Sequence, residues 1–134
     1  STPKPSSAAS DVYKRQLSTI QGPDSNHLAR AFYKEGEIPQ NEWNSWLDRW
    51  WDRVDGRPNR ESMLNANPKY VLRNWMAQLA IDAAEKEDYS VATALYEMLK
   101  KPYDEQPGNE EKWFSRRPEW ARNRVGCSML SCSS

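Results

Sequence analysis

Residues 67–84 read NPKYVLRNWMAQLAIDAA, and this stretch decides the predicted fold. Asn67 can cap a helix, and Pro68 fits the first helical position, where the missing N–H of proline costs no hydrogen bond. Apolar side chains then recur at helical spacing and form one face: Val71, Leu72, Trp75, Met76, Leu79, Ala80 and Ala83. The polar side chains Lys69, Arg73, Asn74, Gln78, Asp82 and Glu85 fall largely on the other side. The pattern predicts one helix with a broad face turned to a core.

Helical patterns lie on both sides of this stretch. Along residues 41–54 an apolar face repeats every three or four residues, through Trp43, Trp46, Leu47, Trp50 and Val54, and Gly56 supplies a left-handed stop. In residues 88–101, Asp88 is a predicted cap, and the inward side carries Val91, Ala92, Leu95, Tyr96, Met98 and Leu99. The link between the pattern of residues 67–84 and that of residues 88–101 is short, which predicts a helical hairpin over 67–101. We expect this hairpin to pack on the helix of residues 43–54.

Composition limits the class of protein. The chain has 134 residues, enough for one domain with a modest core, and 19 basic residues balance 19 acidic ones. This balance predicts neither a nucleic-acid partner nor a membrane partner. The mean hydropathy of −1.01 suggests that part of the chain is unpacked or shares a partner's core. Seven tryptophans either fill that core or form a surface that another domain covers.

The first sixteen residues are predicted to be a disordered tail. Residues 1–10 are small and polar, with two prolines, which is typical of disorder. The following hexapeptide, DVYKRQ at 11–16, back-translates to an adapter of transposase-based sequencing libraries. We therefore interpret residues 1–16 as an adapter scar. The alternative is a chance hexapeptide in a natural tail.

No complete active site is evident in the sequence. Five scattered glycines form no phosphate-binding loop, and the single histidine, His27, excludes most histidine-based metal sites and argues against a Ser-His-Asp triad. We therefore predict no catalytic residue, no cofactor-binding residue and no metal ligand. Four arginines near the end could contact phosphate or form a solvated face that balances nearby glutamates: Arg116, Arg117, Arg122 and Arg124.

The two cysteines are the candidate functional residues. Cys127 and Cys132 lie in residues 126–134, a stretch of small residues that predicts a flexible tail after a helical region at 17–125. Their spacing fits neither a CxxC redox motif nor zinc. Cys132 is third from the chain end, and the upstream arginines favour its thiolate. We predict that Cys132, with Cys127, is redox-active; the alternative is two inert thiols in a reducing compartment.

The central stretch and the tail resemble the C-terminal end of the selenoprotein O (SelO/YdiU) family. The resemblance rests on NPKYVLRN at 67–74, AQ at 77–78 and AIDAAE at 80–85. It continues in order through DY at 88–89, KPY at 101–103 and PEW at 118–120. The terminal CSS at 132–134 matches the end of the family, where some members carry selenocysteine in place of this cysteine.

The resemblance implies an all-α fragment, the C-terminal part of a protein-kinase-like enzyme. The family transfers AMP from ATP to Ser, Thr or Tyr hydroxyls of proteins and needs Mg²⁺ or Mn²⁺. Its nucleotide and metal ligands lie upstream of the matching region, so none is assigned here. Cys132 corresponds to a redox-sensitive residue that pairs with a cysteine of the catalytic domain.

From this resemblance we expect a truncated, inactive piece with a structural and redox-regulatory role. Its expected partners are the missing kinase-like catalytic domain and the protein substrates of the parent. Its expected location is the bacterial cytoplasm, or the mitochondrion if the source is a eukaryote. The alternative function is a tryptophan-rich helical module that binds a protein without catalysis.

Overall fold

A computed structural model describes residues 10–32, 39–125 and 127. Over these residues the regular elements are six α-helices and two 3-10 helices, which confirms the all-α prediction. The α-helices are α1 (Ser10–Leu17), α2 (Gln40–Arg53), α3 (Arg60–Ala66), α4 (Asn74–Ala84), α5 (Ser90–Leu99) and α6 (Pro107–Trp113), and the 3-10 helices are Ser25–Ala31 and Glu119–Ala121. The chain divides into two compact units, Ser1–Pro68 (unit 1) and Lys69–Ser134 (unit 2). The kinase-like fold of the parent stays a prediction.

In unit 1, α1 and α2 both contact the 3-10 helix Ser25–Ala31. The core between them contains Ile20, Leu28, Phe32, Trp43 and Leu47, all at most 1% exposed. The rings of Phe32 and Trp43 meet edge to face, with centroids 6.1 Å apart. Such aromatic pairs add stabilisation beyond their buried area, so this contact anchors α2 to the 3-10 helix.

The first helix is a difference from the sequence-based expectation. A disordered tail was predicted for residues 1–16, but Ser10–Gln16 belong to α1, and residues 1–9 lie outside the described residues. Val12 is 2% exposed, and the guanidinium of Arg15 donates a 2.8 Å hydrogen bond to the carbonyl oxygen of Asn67. Residues 10–16 have only a weak local preference for helix. Burial and this long-range hydrogen bond stabilise the helix all the same. The adapter interpretation stays a prediction.

The second helix agrees with its predicted pattern. α2 spans Gln40–Arg53, with Trp43 and Leu47 buried on the predicted apolar face. The chain turns directly after it, where Asp55 and Gly56 have φ of 52° and 61°. Glycine adopts this left-handed geometry without a side-chain clash, and the stop predicted at Gly56 is confirmed.

The predicted helix over 67–84 is wrong in its first seven residues. Asn67 ends α3 instead of opening α4, since its backbone and side-chain N–H groups both donate to the carbonyl oxygen of Met63. The chain then runs without helix to Asn74, where α4 begins. The backbone N–H groups of Lys69 and Tyr70 donate to the carbonyl oxygen of Pro102, at 2.8 Å and 3.1 Å. These long-range bonds replace the first helical turn, and they hold Lys69 and Tyr70 in the core of unit 2.

The predicted helical hairpin is confirmed in its main part. α4 and α5 pack against each other in unit 2, joined by a short turn in which Glu87 has a φ of 61°. Trp75 and Met76 of α4 and Leu95 and Met98 of α5 are buried. The predicted stripes are broader than the buried faces, because Leu72 and Tyr96 are 47% and 65% exposed. The predicted packing of this hairpin on the helix of residues 43–54 stays a prediction.

Candidate functional site

Of the two predicted redox residues, the structure describes one. Cys127 is a free thiol with no exposed surface, and its backbone N–H donates to the carbonyl oxygen of Arg124 at 3.1 Å. Cys132 lies outside the described residues, as do the other residues of the predicted tail 126–134 except Cys127. A thiol reacts as its thiolate and only where a reagent reaches it. Cys127 is therefore shielded in this structure, and the redox role of both cysteines stays a prediction.

An ion pair fixes the backbone just before Cys127. The guanidinium of Arg124 donates two hydrogen bonds to the carboxylate of Asp82 on α4, at 2.7 Å and 2.8 Å. Gln78 donates a third to the same carboxylate at 2.8 Å. The hydrogen bonds from Arg124 and then from Gln78 lower the pKa of Asp82 below 3.8. The guanidinium also lies 5.9 Å from the centroid of the Trp120 ring, so the pair joins the end of unit 2 to α4.

The four arginines do not form one solvated face. Arg116, Arg117 and Arg122 are half-buried, and Arg124 is exposed. Arg122 pairs with Glu119 at 3.3 Å, which agrees with the predicted balance of charges. Arg124 instead pairs with Asp82, forty-two residues earlier in the chain. Bidentate arginine–carboxylate geometry gives orientation as well as energy, so this pair is a fixed structural contact.

A second charged cluster lies around Lys69, which was predicted to be on the wet side of a helix. Its side chain is 2% exposed, and its ammonium contacts the carboxylates of Glu105 at 2.7 Å and Glu110 at 3.0 Å. The ammonium also lies 5.1 Å from the centroid of the Phe114 ring and 5.9 Å from that of Tyr70. Burial lowers the pKa of Lys69, but the hydrogen bonds and charges of Glu105 and Glu110 raise it by more, so the net shift is upward.

Tyr70 and Gln106 complete this cluster. The hydroxyl of Tyr70 shares its one proton between the carbonyl oxygens of Glu105 and Gln106, which lie 2.7 Å and 3.0 Å away. Gln106 has a φ of 42° and precedes α6, and its side-chain amide donates to the carbonyl oxygens of Met98 and Lys101. These bonds fix the loop between α5 and α6 against the segment before α4. The cluster holds unit 2 together, and no local pattern predicts it because Lys69 and its partners are 36 and 41 residues apart.

Three further features of the described residues concern His27, metal ligands and membrane spans. His27 is exposed on the 3-10 helix that Asp24 caps. Among the described residues, no group of three or more His, Cys, Asp or Glu could hold a metal ion. The helices within 10–32 and 39–125 include none that is long and apolar enough to cross a membrane.

Comparisons with known proteins give close relatives. The chain is 47% identical over 136 aligned residues to a protein of Flavobacterium johnsoniae named protein nucleotidyltransferase YdiU, with 92% of this chain and 26% of the relative covered. Proteins of the same name from Aromatoleum aromaticum and Rhodopirellula baltica are 45% and 49% identical. These two matches cover 92% and 81% of this chain, and 25% and 22% of the relatives. The chain thus spans about a quarter of the length of the relatives it matches. No protein-family model matches it.

Proposed function

The chain belongs to the YdiU family of protein nucleotidyltransferases, and from this premise we propose that it serves as a structural and redox-regulatory segment of such an enzyme. The parent enzyme in this proposal transfers AMP from ATP to Ser, Thr or Tyr hydroxyls of proteins. The observation that carries the proposal is the 44–49% identity to relatives of this name over 81–92% of the chain. The segment by itself does not catalyse.

The pairing of charged side chains among the described residues supports a structural role. The two charged clusters, around Lys69 and around Asp82–Arg124, consist of paired side chains that hold loops to helices. Paired charges of this kind stabilise a fold and leave no general base or nucleophile poised for a substrate. In our proposal the ATP and the Mg²⁺ or Mn²⁺ are held by the remaining three-quarters of the parent, because the family that the sequence resembles has its nucleotide and metal ligands upstream of the matching region.

A segment exchange tests the structural part of the proposal. The matching segment of the Flavobacterium johnsoniae relative is replaced by this chain, and AMP transfer from labelled ATP to a protein acceptor is measured with Mg²⁺ or Mn²⁺. We expect the chimera to keep activity within about tenfold of the intact relative, a difference of about 1.4 kcal/mol in the barrier. The isolated chain, under the same conditions, is expected to transfer no label.

The controls separate misfolding from a failed proposal. A chimera in the Aromatoleum aromaticum relative provides a second host at similar identity. Two chimeras that fold, bind ATP and transfer no AMP would contradict the structural role. Label transferred by the isolated chain would contradict the view that catalysis resides elsewhere in the parent.

The redox part of the proposal has its own test in the same chimera. We expect AMP transfer to differ between oxidised and reduced enzyme, because Cys132 pairs with a cysteine of the catalytic domain when oxidised. Cys132→Ser is expected to abolish that difference, and Cys127→Ser to retain it, since the Cys127 thiol is buried. Activity that responds equally to the redox state in both variants would remove Cys132 from the proposal.

The second candidate is a protein-binding module without catalysis. It is favoured by the tryptophans of α2, because Trp46, Trp50 and Trp51 are only half-buried. The rings of Trp46 and Trp50 stack with centroids 6.1 Å apart and planes 7° from parallel. Half-exposed tryptophans are enriched at protein interfaces. This candidate predicts that the segment exchange yields folded but inactive chimeras, so the same experiment separates the two functions.

A further inference from the structure

The two hairpin helices of unit 2 carry very little charge. Charged residues make up 28% of the chain, but α4 contains one, Asp82, and α5 contains one, Glu97. In contrast, α2 has five charged residues among its fourteen. A helix at the surface normally has a charged outer side, whereas a helix that is apolar all round is typical of burial on both sides. The composition therefore indicates a helix pair that is covered on its outer side as well.

The outer side of α5 is uncovered in this structure. Tyr89 and Tyr96 are 62% and 65% exposed, and among the described residues the large hydrophobic side chains that remain exposed all lie in unit 2. The hydroxyl of Thr93 donates to the carbonyl oxygen of Tyr89 at 3.0 Å, so its hydrogen bond is made within the chain. The outer face of α5 consists of four exposed residues at spacings of three and four: Tyr89, Ala92, Thr93 and Tyr96. This face presents two aromatic rings and small side chains without a formal charge.

A charged pair marks the C-terminal end of the outer face. The ammonium of Lys100 pairs with the carboxylate of Glu97 at 3.1 Å and lies 5.5 Å from the centroid of the Tyr96 ring. In protein interfaces tyrosine is enriched at the centre, lysine and glutamate are depleted there, and the rim is polar. The outer face of α5 has the same arrangement, with aromatic rings along the helix and charges at its end.

The size of the outer face favours an occupant from the same polypeptide. α5 has ten residues, and a helix of that length is about 15 Å long and about 10 Å wide, so one face offers roughly 200 Å². A stable complex of separate proteins needs about 800 Å² on each partner. A segment of the same chain needs less, because the tether raises its effective concentration. The relatives contain such chain, since this sequence spans only about a quarter of their length.

We propose that the outer face of α5 docks on the three-quarters of the parent chain that lie outside this segment. The inference rests on the proposed function only in taking the chain as a segment of a YdiU-type protein, and it needs no catalysis. Docking buries the rings of Tyr89 and Tyr96 against an apolar surface of the remaining chain and leaves Lys100 and Glu97 at the edge. The two tyrosines carry most of the contact, because aromatic residues dominate the energetics of interfaces.

Hydroxyl-radical footprinting with mass spectrometry measures this docking at single residues. The isolated 134-residue chain and its chimera with the Flavobacterium johnsoniae relative are oxidised under identical conditions. We expect Tyr89 and Tyr96 to oxidise about fivefold more slowly in the chimera, because a docked face excludes water. His27 is an exposed residue of unit 1 and serves as the control, with equal oxidation expected in both proteins.

Two substitutions of Tyr96 separate docking from folding. Tyr96→Glu in the chimera is expected to return Tyr89 to within about twofold of its oxidation rate in the isolated chain, because a carboxylate at an apolar contact loses its hydration. Tyr96→Phe keeps the ring and is expected to leave Tyr89 protected. Trp75 is 3% exposed, and its slow oxidation in both variants is the check that unit 2 remains folded.

Equal oxidation of Tyr89 and Tyr96 in the isolated chain and in the chimera would overturn the proposal. Slow oxidation of both tyrosines already in the isolated chain would also overturn it, and light scattering then shows whether a second copy covers the face. Protection of Tyr89 that persists in Tyr96→Glu would assign the cover to another surface. AMP transfer is measured on the same chimera: protection without transfer keeps the docking and counts against the proposed function, and transfer without protection does the reverse.

Discussion

Trp75→Ala is expected to lower the free energy of unfolding of unit 2 by about 4 kcal/mol. Trp75 is 3% exposed, and its ring stacks on that of Trp113 with centroids 5.8 Å apart and planes 24° from parallel. Truncation removes the buried area of an indole and leaves a cavity between α4 and α6 that the surrounding backbone fills only in part. The cost is of the size found for other aromatic residues in cores.

Urea unfolding followed by circular dichroism measures this loss, since tryptophan fluorescence changes with the substitution itself. Trp75→Phe is the matched control. It keeps an aromatic ring on Trp113, and among the described residues the indole N–H that it removes has no hydrogen-bond partner. We expect a cost of about 1 kcal/mol for Phe. Equal losses from the two substitutions would show that the ring contact is not what stabilises unit 2.

Lys69→Met is expected to lower the free energy of unfolding of unit 2 by about 2 kcal/mol. Methionine keeps an unbranched apolar side chain but removes the ammonium that bridges Glu105 and Glu110 and lies over the Phe114 ring. Hydrogen bonds to charged groups are each worth more than neutral ones, and a buried pair that loses one partner leaves the other charge uncompensated. The side chains of Glu105 and Glu110 are 62% and 39% exposed, so water takes over part of the lost interaction and keeps the cost moderate.

The control is the same lysine-to-methionine substitution at an exposed ion pair. Lys100→Met removes an ammonium that pairs with Glu97 at 3.1 Å and lies 5.5 Å from the Tyr96 ring, but both partners are exposed. We expect a change within about 0.5 kcal/mol. Comparable losses of unfolding free energy from Lys69→Met and Lys100→Met would contradict the view that the buried ammonium stabilises unit 2 more than an exposed one.

The pH dependence of the Lys69→Met effect follows from the raised pKa of Lys69. A cation whose pKa is higher in the folded state stabilises the fold fully below its unfolded value, here 10.5, and loses that contribution as pH rises through the folded value. The difference in unfolding free energy between the original chain and Lys69→Met is therefore constant near neutral pH. It is expected to shrink above about 10.5. A difference that shrinks between pH 7 and 9 would assign the effect to another group.

The local patterns of the sequence predicted the elements whose determinants are local. The apolar face of α2 and the stop at Gly56 depend on spacing and on one φ angle, and both are found as predicted. The α4–α5 hairpin follows from two amphipathic patterns and a short link, and it too is present. The predicted start at Asn67 and Pro68 was wrong because its determinants are distant in sequence. The backbone N–H groups of Lys69 and Tyr70 donate to the carbonyl oxygen of Pro102, so these residues do not form the first helical turn.

The candidate site was predictable only in part for the same physical reason. The cysteines are visible in the sequence, but the burial of Cys127 is a property of the folded chain that no local pattern predicts. Lys69 looks like a solvated charge in a window of ten residues, because its two carboxylates follow more than thirty residues later. Side chains that meet across such distances leave no periodic signal.

The bonds from Lys69 and Tyr70 to Pro102 also bear on how quickly unit 2 assembles. They join two points of the chain just over thirty residues apart, with α4 and α5 between them. The entropy of closing a loop grows only with the logarithm of its length, so this closure is inexpensive once the two helices have paired. These bonds are non-local, so we expect them to form later than the contacts within α4 and α5, which are close in sequence and form fast.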